Sequence, residues 1–125
     1  MLKPLKSRFD RMDLRKLQDR LQAFADARDW NPFHSPKNLA MALSVEAAEL
    51  VEIFQWLTEA QSRDLSAGQR AALADEIADV QIYLLRLADM ANVDIEAAVE
   101  QKINKNALKY PAGRVKPINP KGDLE

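Results

Sequence analysis

Between Leu39 and Leu57 the chain reads LAMALSVEAAELVEIFQWL. Leu39, Leu43, Leu50, Ile53 and Leu57 fall on a repeat of threes and fours, which predicts a helix with one packed seam. Glu46 occupies the seam position between Leu43 and Leu50, and Glu49 and Glu52 follow at steps of three. A carboxylate on a packing stripe must be paired, protonated or bound to a cation. Upstream, Leu14, Leu17, Leu21 and Phe24 predict a first helix over Leu14 to Arg28, with Asp13 as its cap. Pro32 and Pro36 break the pattern, and Ser35 caps the second helix, which is expected to run to about Ala60. Ser66 and Gln69 have capping-box spacing and open a third helix from Ala67 to about Ala91. Its expected seam is Leu73, Ile77, Val80, Leu84, Leu87 and Ala91, with Glu76 and Asp79 beside it. Asp94 caps a fourth helix from Ile95 to about Leu108, closed by Pro111 and Gly113.

The pattern predicts an all-α chain with an antiparallel core of four helices. Residues 1–12 read as an N-terminal arm, 13–110 as one helical domain and 111–125 as a flexible tail. Only three glycines interrupt a composition rich in helix formers. Hydrophobic residues make up 47% of the chain, and four short helices leave part of them uncovered. The second helix carries a further apolar stripe, Ala40, Ala47, Val51 and Phe54, which predicts a homo-oligomer, a tetramer before a dimer.

Charge narrows the function. Eighteen basic and 19 acidic side chains leave a net charge of -1, which argues against capture of nucleic acid or an anionic membrane. No apolar run reaches the roughly 18 residues of a membrane span. Cysteine is absent, so a thiolate metal site and a disulfide framework are excluded and a reducing, cytoplasmic setting is compatible.

Two helices carry acids at the same spacing, Glu46 with Glu49 and Glu76 with Asp79. Antiparallel packing of the two seams would set these pairs face to face, where they repel unless cations neutralise them. Carboxylates without histidine or cysteine suit Mg²⁺, with Mn²⁺ as a substitute, and magnesium normally meets phosphate oxygens. The implied substrate is a small molecule with a di- or triphosphate. The opposing reading leaves the acids on solvated faces of a non-catalytic helical module for assembly or partner binding. Trp30, Phe33 and His34 crowd the break before the second helix. His34, the single histidine, lacks metal-binding partners, so a structural or phosphate-facing role is open. Lys37 and Asn38 open the second helix beside free backbone N–H groups that suit an anion.

EAAE at 46–49 and EIAD at 76–79 resemble the acidic signature of the all-α nucleoside triphosphate pyrophosphohydrolases, the MazG-like group. The blocks RDWNPFHSPKNLAMAL, EAAELVEIFQW, DEIADVQIYLLRLA and KINKNALKYP are similar to the small dCTP pyrophosphatases over about Leu14 to Pro111. The resemblance implies hydrolysis of a nucleoside triphosphate to monophosphate and pyrophosphate. dCTP or a 5-modified dCTP is the expected substrate, and dUTP, dTTP or a broader range the alternative. It implies Glu46, Glu49, Glu76 and Asp79 as magnesium ligands, and leaves open which carboxylate orients the attacking water. It assigns Trp30, Trp56 and Tyr83 to a base pocket, and Lys102, Asn106 and Lys109 of the last helix to phosphates and sugar. One departure stands out: Leu21 takes the place of a base-contacting histidine in the vertebrate-type dCTP enzymes.

Overall fold

The computed structural model of the chain describes residues 13–113, and the N-terminal arm read over 1–12 and the tail from residue 114 onward lie outside the described residues. All regular structure within that range is helical. Helix α1 spans Leu14–Ala27, a single 3-10 turn covers Asn31–Phe33, and α2 spans Pro36–Phe54. A short α3, Glu59–Ser62, leads to α4, Ala67–Met90, and then α5, Ile95–Lys109. Each long helix starts on a side-chain cap from the expected residue. Asp13, Ser35, Ser66 and Asp94 each accept from the backbone N–H three residues on.

Two compact units divide the chain at Val93 and Asp94. In the first, α2 packs along α4 and α1 lies on α4. Glu46 of α2 meets Glu76 of α4, and His34 before α2 meets Arg86 near the end of α4, so the two helices are antiparallel. Helix α1 also opposes α4, because Arg15 reaches Asp89 while Gln22 reaches Arg86. Leu39 and Leu85 are the large side chains buried completely. The second unit contains α5, whose side chains are exposed apart from the half-buried Ile95.

Three expectations change. Helix α2 ends at Phe54, not near Ala60, since Thr58 opens a new capping box with Gln61 and starts α3. The buried line of α1 runs through Gln18 and Ala25, with Phe24 exposed. Gln18 is accommodated there because its side-chain amide donates to the Leu85 carbonyl at 3.2 Å. On α4 the half-buried stripe is Leu73, Glu76, Val80, Tyr83, Leu87 and Met90, with Leu85, Arg86 and Ala88 buried beside its end. It keeps Leu73, Val80 and Leu87 of the predicted line and replaces Ile77, Leu84 and Ala91 by the residue before each. Ile77 and Leu84 are instead 53% and 37% exposed. Both lines have the same three–four spacing, so periodicity alone cannot choose between them, and apolar content favours the line that is not buried.

Helices α1 and α4 end alike. Asp29 (φ 53°) and Asn92 (φ 55°) take left-handed backbone. Beyond them, Trp30 N–H bonds to the Ala25 carbonyl at 3.0 Å, and Val93 N–H to the Ala88 carbonyl at 2.8 Å. Together with the Asp29–Asp26 and Asn92–Asp89 bonds, these are Schellman closures. The first aims Trp30 back toward α1, where its ring meets Phe24 edge-on at 5.4 Å.

Candidate active site

The antiparallel seams of α2 and α4 bring Glu46, Glu49 and Glu76 together. Each offers a carboxylate oxygen within 4.8 Å of the others. Glu46 Oε2 and Glu76 Oε2 are buried and have no hydrogen-bond partner among the described residues. Burial pushes the Glu46 carboxyl up to about 7, helped by Glu49 and Glu76 alongside and by the charge of Asp79. Glu76 is raised as well, first by burial and then by the charges of Glu49 and Asp79. Asp79 lies outside the tight trio but close enough for its charge to act on both.

Unpaired, buried oxygens among like charges are unfavourable in a finished core. They fit a site completed by a cation. Every donor is a carboxylate oxygen, so the cluster suits a hard divalent ion.

Beside this cluster is a cavity of about 240 Å³, which Asp79 lines together with Leu21, Trp30, His34, Tyr83 and Arg86. Phe24, Ala25 and Ile82 complete its wall. It is smaller than the roughly 300 Å³ at which drug-sized pockets begin, and its rings and aliphatic side chains suit one flat heterocycle. Thus three residues predicted for a nucleotide pocket, Trp30, His34 and Tyr83, come together here. Leu21, noted in the sequence as a departure, is part of the same wall.

Trp56, Lys37 and Asn38 are not among the residues that line this cavity. Trp56 is 86% exposed beyond the end of α2. Lys37 is exposed on the first turn of α2. Asn38 is exposed there too, and its side chain donates to the Phe33 carbonyl at 3.1 Å, which ties down the preceding turn. Lys102, Asn106 and Lys109 lie on the exposed surface of α5 in the second unit.

Sequence reading missed Arg86, which is only 2% exposed. Its guanidinium donates to His34 Nδ1 at 3.3 Å through Nε, to Gln22 Oε1 at 2.7 Å and to Asn31 Oδ1 at 3.3 Å. Asp89 lies 4.0 Å from Nη1. The amide nitrogens of Gln22 and Asn31 in turn donate to Asp26 Oδ1, at 2.8 and 2.6 Å. These two bonds hold the Asp26 carboxyl below its ordinary range. The available signal was an arginine set among leucines in LLRLA, four residues before Met90.

The MazG-like family model matches residues 41–122. The chain is 44% identical to human (Homo sapiens) dCTP pyrophosphatase 1 over 102 residues, which are 80% of this chain and 58% of that protein. It is 44% identical to the mouse (Mus musculus) dCTP pyrophosphatase 1 over 101 residues, 79% of this chain and 58% of that one. The chain therefore spans less than two thirds of the length of these curated relatives. A crystal structure of a pyrophosphatase from Archaeoglobus fulgidus superposes with a TM-score of 0.75 at 41% identity, covering 85% of this chain and 99% of that one. With its two acidic helices, its helical architecture and these matches taken together, the chain belongs to the MazG-like family.

Proposed function

We propose that the protein hydrolyses a deoxynucleoside triphosphate, dCTP or a 5-modified dCTP first, to the monophosphate and pyrophosphate. The observation that carries this reading is the trio Glu46, Glu49 and Glu76, with two orphaned oxygens, adjoining a base-sized aromatic cavity. The relatives named dCTP pyrophosphatase support the substrate class.

In this reading Glu46, Glu49, Glu76 and Asp79 hold magnesium, for which Mn²⁺ substitutes. When bound, the ion supplies charge screening for the triphosphate and Lewis acidity at phosphorus. Trp30 and Tyr83 take the base between ring faces and set the depth to which the nucleotide enters. Asp79, shared by the cavity wall and the acidic cluster, links base position to phosphate position. A carboxylate of the cluster orients a water in line with the bond to be broken and accepts its proton. Attack at the α-phosphorus breaks the α–β anhydride, and the electron pair leaves with pyrophosphate. Lys102, Asn106 and Lys109 are assigned to the phosphates and sugar, as the family resemblance implies.

The reading includes assembly as a homo-oligomer, a tetramer before a dimer, and the apolar side chains left uncovered on α2 and α4, Met41, Val45, Val51, Ile77 and Leu84, support a partner surface there. No helix among the described residues is long and apolar enough to cross a membrane. A role in clearing the nucleotide pool places the enzyme in the cytoplasm.

The test is pyrophosphate release from all common and 5-modified triphosphates with Mg²⁺ and with Mn²⁺. Highest kcat/KM on dCTP or a 5-modified dCTP is expected. Preference for ATP or GTP over every pyrimidine would reject the dCTP assignment, and release from no triphosphate would reject the substrate class.

A further inference from the structure

The environment of Arg86 bears on how the cavity reads a base. A guanidinium has only donors and a carboxylate only acceptors, so the network between Arg86 and Asp26 has one direction. The side-chain oxygens of Gln22 and Asn31 face Arg86, and their nitrogens face Asp26. By the same logic His34 Nδ1, which receives Arg86 Nε at 3.3 Å and lies 3.2 Å from Nη2, must be the unprotonated nitrogen. The ring proton then sits on Nε2, which has no protein partner among the described residues. Burial and the Arg86 charge both disfavour the imidazolium. His34 and Arg86 line the same cavity.

We propose that Arg86 is a positioning residue that fixes His34 as a neutral Nε2–H donor, so that this wall of the cavity selects a base edge made of acceptors. The inference rests on the reading that a nucleotide base occupies the cavity. Cytosine presents such an edge at O2 and N3, whereas an exocyclic amino group turned to the same wall meets only donors and a cation. The stacking rings tolerate any base, and discrimination comes from the hydrogen bond that the wrong edge leaves unmade. Leu21, aliphatic and also lining the cavity, adds no polar reader beside His34.

His34 is the single histidine of the chain, so its ring nitrogens are assigned without ambiguity. Nitrogen-15 spectra of the intact protein near neutral pH are expected to show a bare Nδ1 and a protonated Nε2. An imidazolium or an Nδ1–H ring would overturn the inference without reference to any substrate. The second arm uses dCTP, 2-thio-dCTP, whose sulfur is a poor acceptor, and the 2-pyrimidinone analogue, which lacks the 4-amino group. Loss of the 2-oxo acceptor is expected to lower kcat/KM more than about tenfold, mainly through KM, and loss of the amino group to lower it less.

His34→Asp retains an acceptor for Arg86 and, ionised beside the guanidinium, carries no donor, and is expected to shrink the 2-thio penalty to within about twofold. If that penalty persists in His34→Asp, or if deleting the amino group costs more, the inference fails while the hydrolase reading stands. If no triphosphate is hydrolysed, both fail. Arg86→Met should convert the His34 ring to a mixture of tautomers. Should that variant not fold, the wild-type spectrum and His34→Asp decide the matter.

Discussion

Helix α4 carries two polar clusters, ten residues apart, that are built on opposite terms. At Glu76, carboxylates from two helices crowd together, and two of their oxygens have no partner. At Arg86, a single cation spends its donors on Gln22, Asn31 and His34, and the amides carry its field on to Asp26. A satisfied polar network rigidifies its surroundings, whereas an unsatisfied one marks a position that something else must complete. The first cluster is therefore where binding and chemistry are expected, and the second is a frame that shapes the cavity beside it. Removing a charge should accordingly have opposite effects on stability in the two places.

The largest effect should be on turnover. Glu49→Ala and Asp79→Ala each remove a hard oxygen without opening a large void in the core, since Glu49 is exposed and Asp79 only half-buried. Pyrophosphate release is expected to fall by at least roughly a hundredfold in each, with the helical circular dichroism signal and the solution mass retained. Near-normal hydrolysis in both would take these residues out of the site and leave the first cluster without a function.

Next comes the frame. Arg86→Met deletes the donor that Gln22 Oε1, Asn31 Oδ1 and His34 Nδ1 share. Asn31 is exposed and can turn to water, so the cost falls on the half-buried Gln22 and His34, at about 1–3 kcal/mol for an acceptor left unmatched. A loss of about 2 kcal/mol in the unfolding free energy, read from a lower denaturant midpoint, is expected. An unchanged midpoint would show that water replaces Arg86 at no cost, and the contrast between the two clusters would collapse.

How far each cluster was legible in the sequence follows from the same contrast. Glu46 was conspicuous because an acid interrupts a run of apolar seam positions, and α2 buries that seam as the spacing predicts. Glu76 is signalled by its spacing from Asp79, although the predicted seam of α4 passes beside it. The two lines on that helix share Leu73, Val80 and Leu87, and between them the inner one carries Glu76 and Tyr83, which face Glu46 and the cavity. Ile77 and Leu84 on the other line face outward from the described unit. Arg86 has only the weak signal of its apolar neighbours, because an arginine ordinarily reaches solvent, and the partners supplied by α1 and the turn at Asn31 show that it does not. Those partners are 52 to 64 residues away in the chain, a relation that no local pattern encodes. The end of α2 was overrun for a local reason. Leu57 continues the seam rhythm although Thr58 has already begun another helix with Gln61.

The smallest expected effect has the opposite sign and sharpens the comparison most. Burial and neighbouring acids raise Glu46 in the folded protein from an ordinary 4.5 to about 7. Between these values the folded state binds more protons than the unfolded one, so its stability falls as pH rises. The contribution is fully present below about pH 4.5 and is lost once pH has passed about 7. Glu46→Gln imitates the protonated acid at every pH. In metal-free protein the variant and the wild type should therefore unfold together near pH 4.5. The variant should become the more stable as pH rises, and the gap should level off above pH 7. Adding Mg²⁺ at pH 7.5 should reverse the order, because an ion that binds only the folded state stabilises the wild type, which retains its carboxylate, more than the variant. Thermal unfolding followed at several pH values, with EDTA and then with Mg²⁺, measures both. A gap that does not change with pH would mean that Glu46 is no more strained than a surface acid. Equal Mg²⁺ stabilisation of both proteins would remove its carboxylate from the cation site.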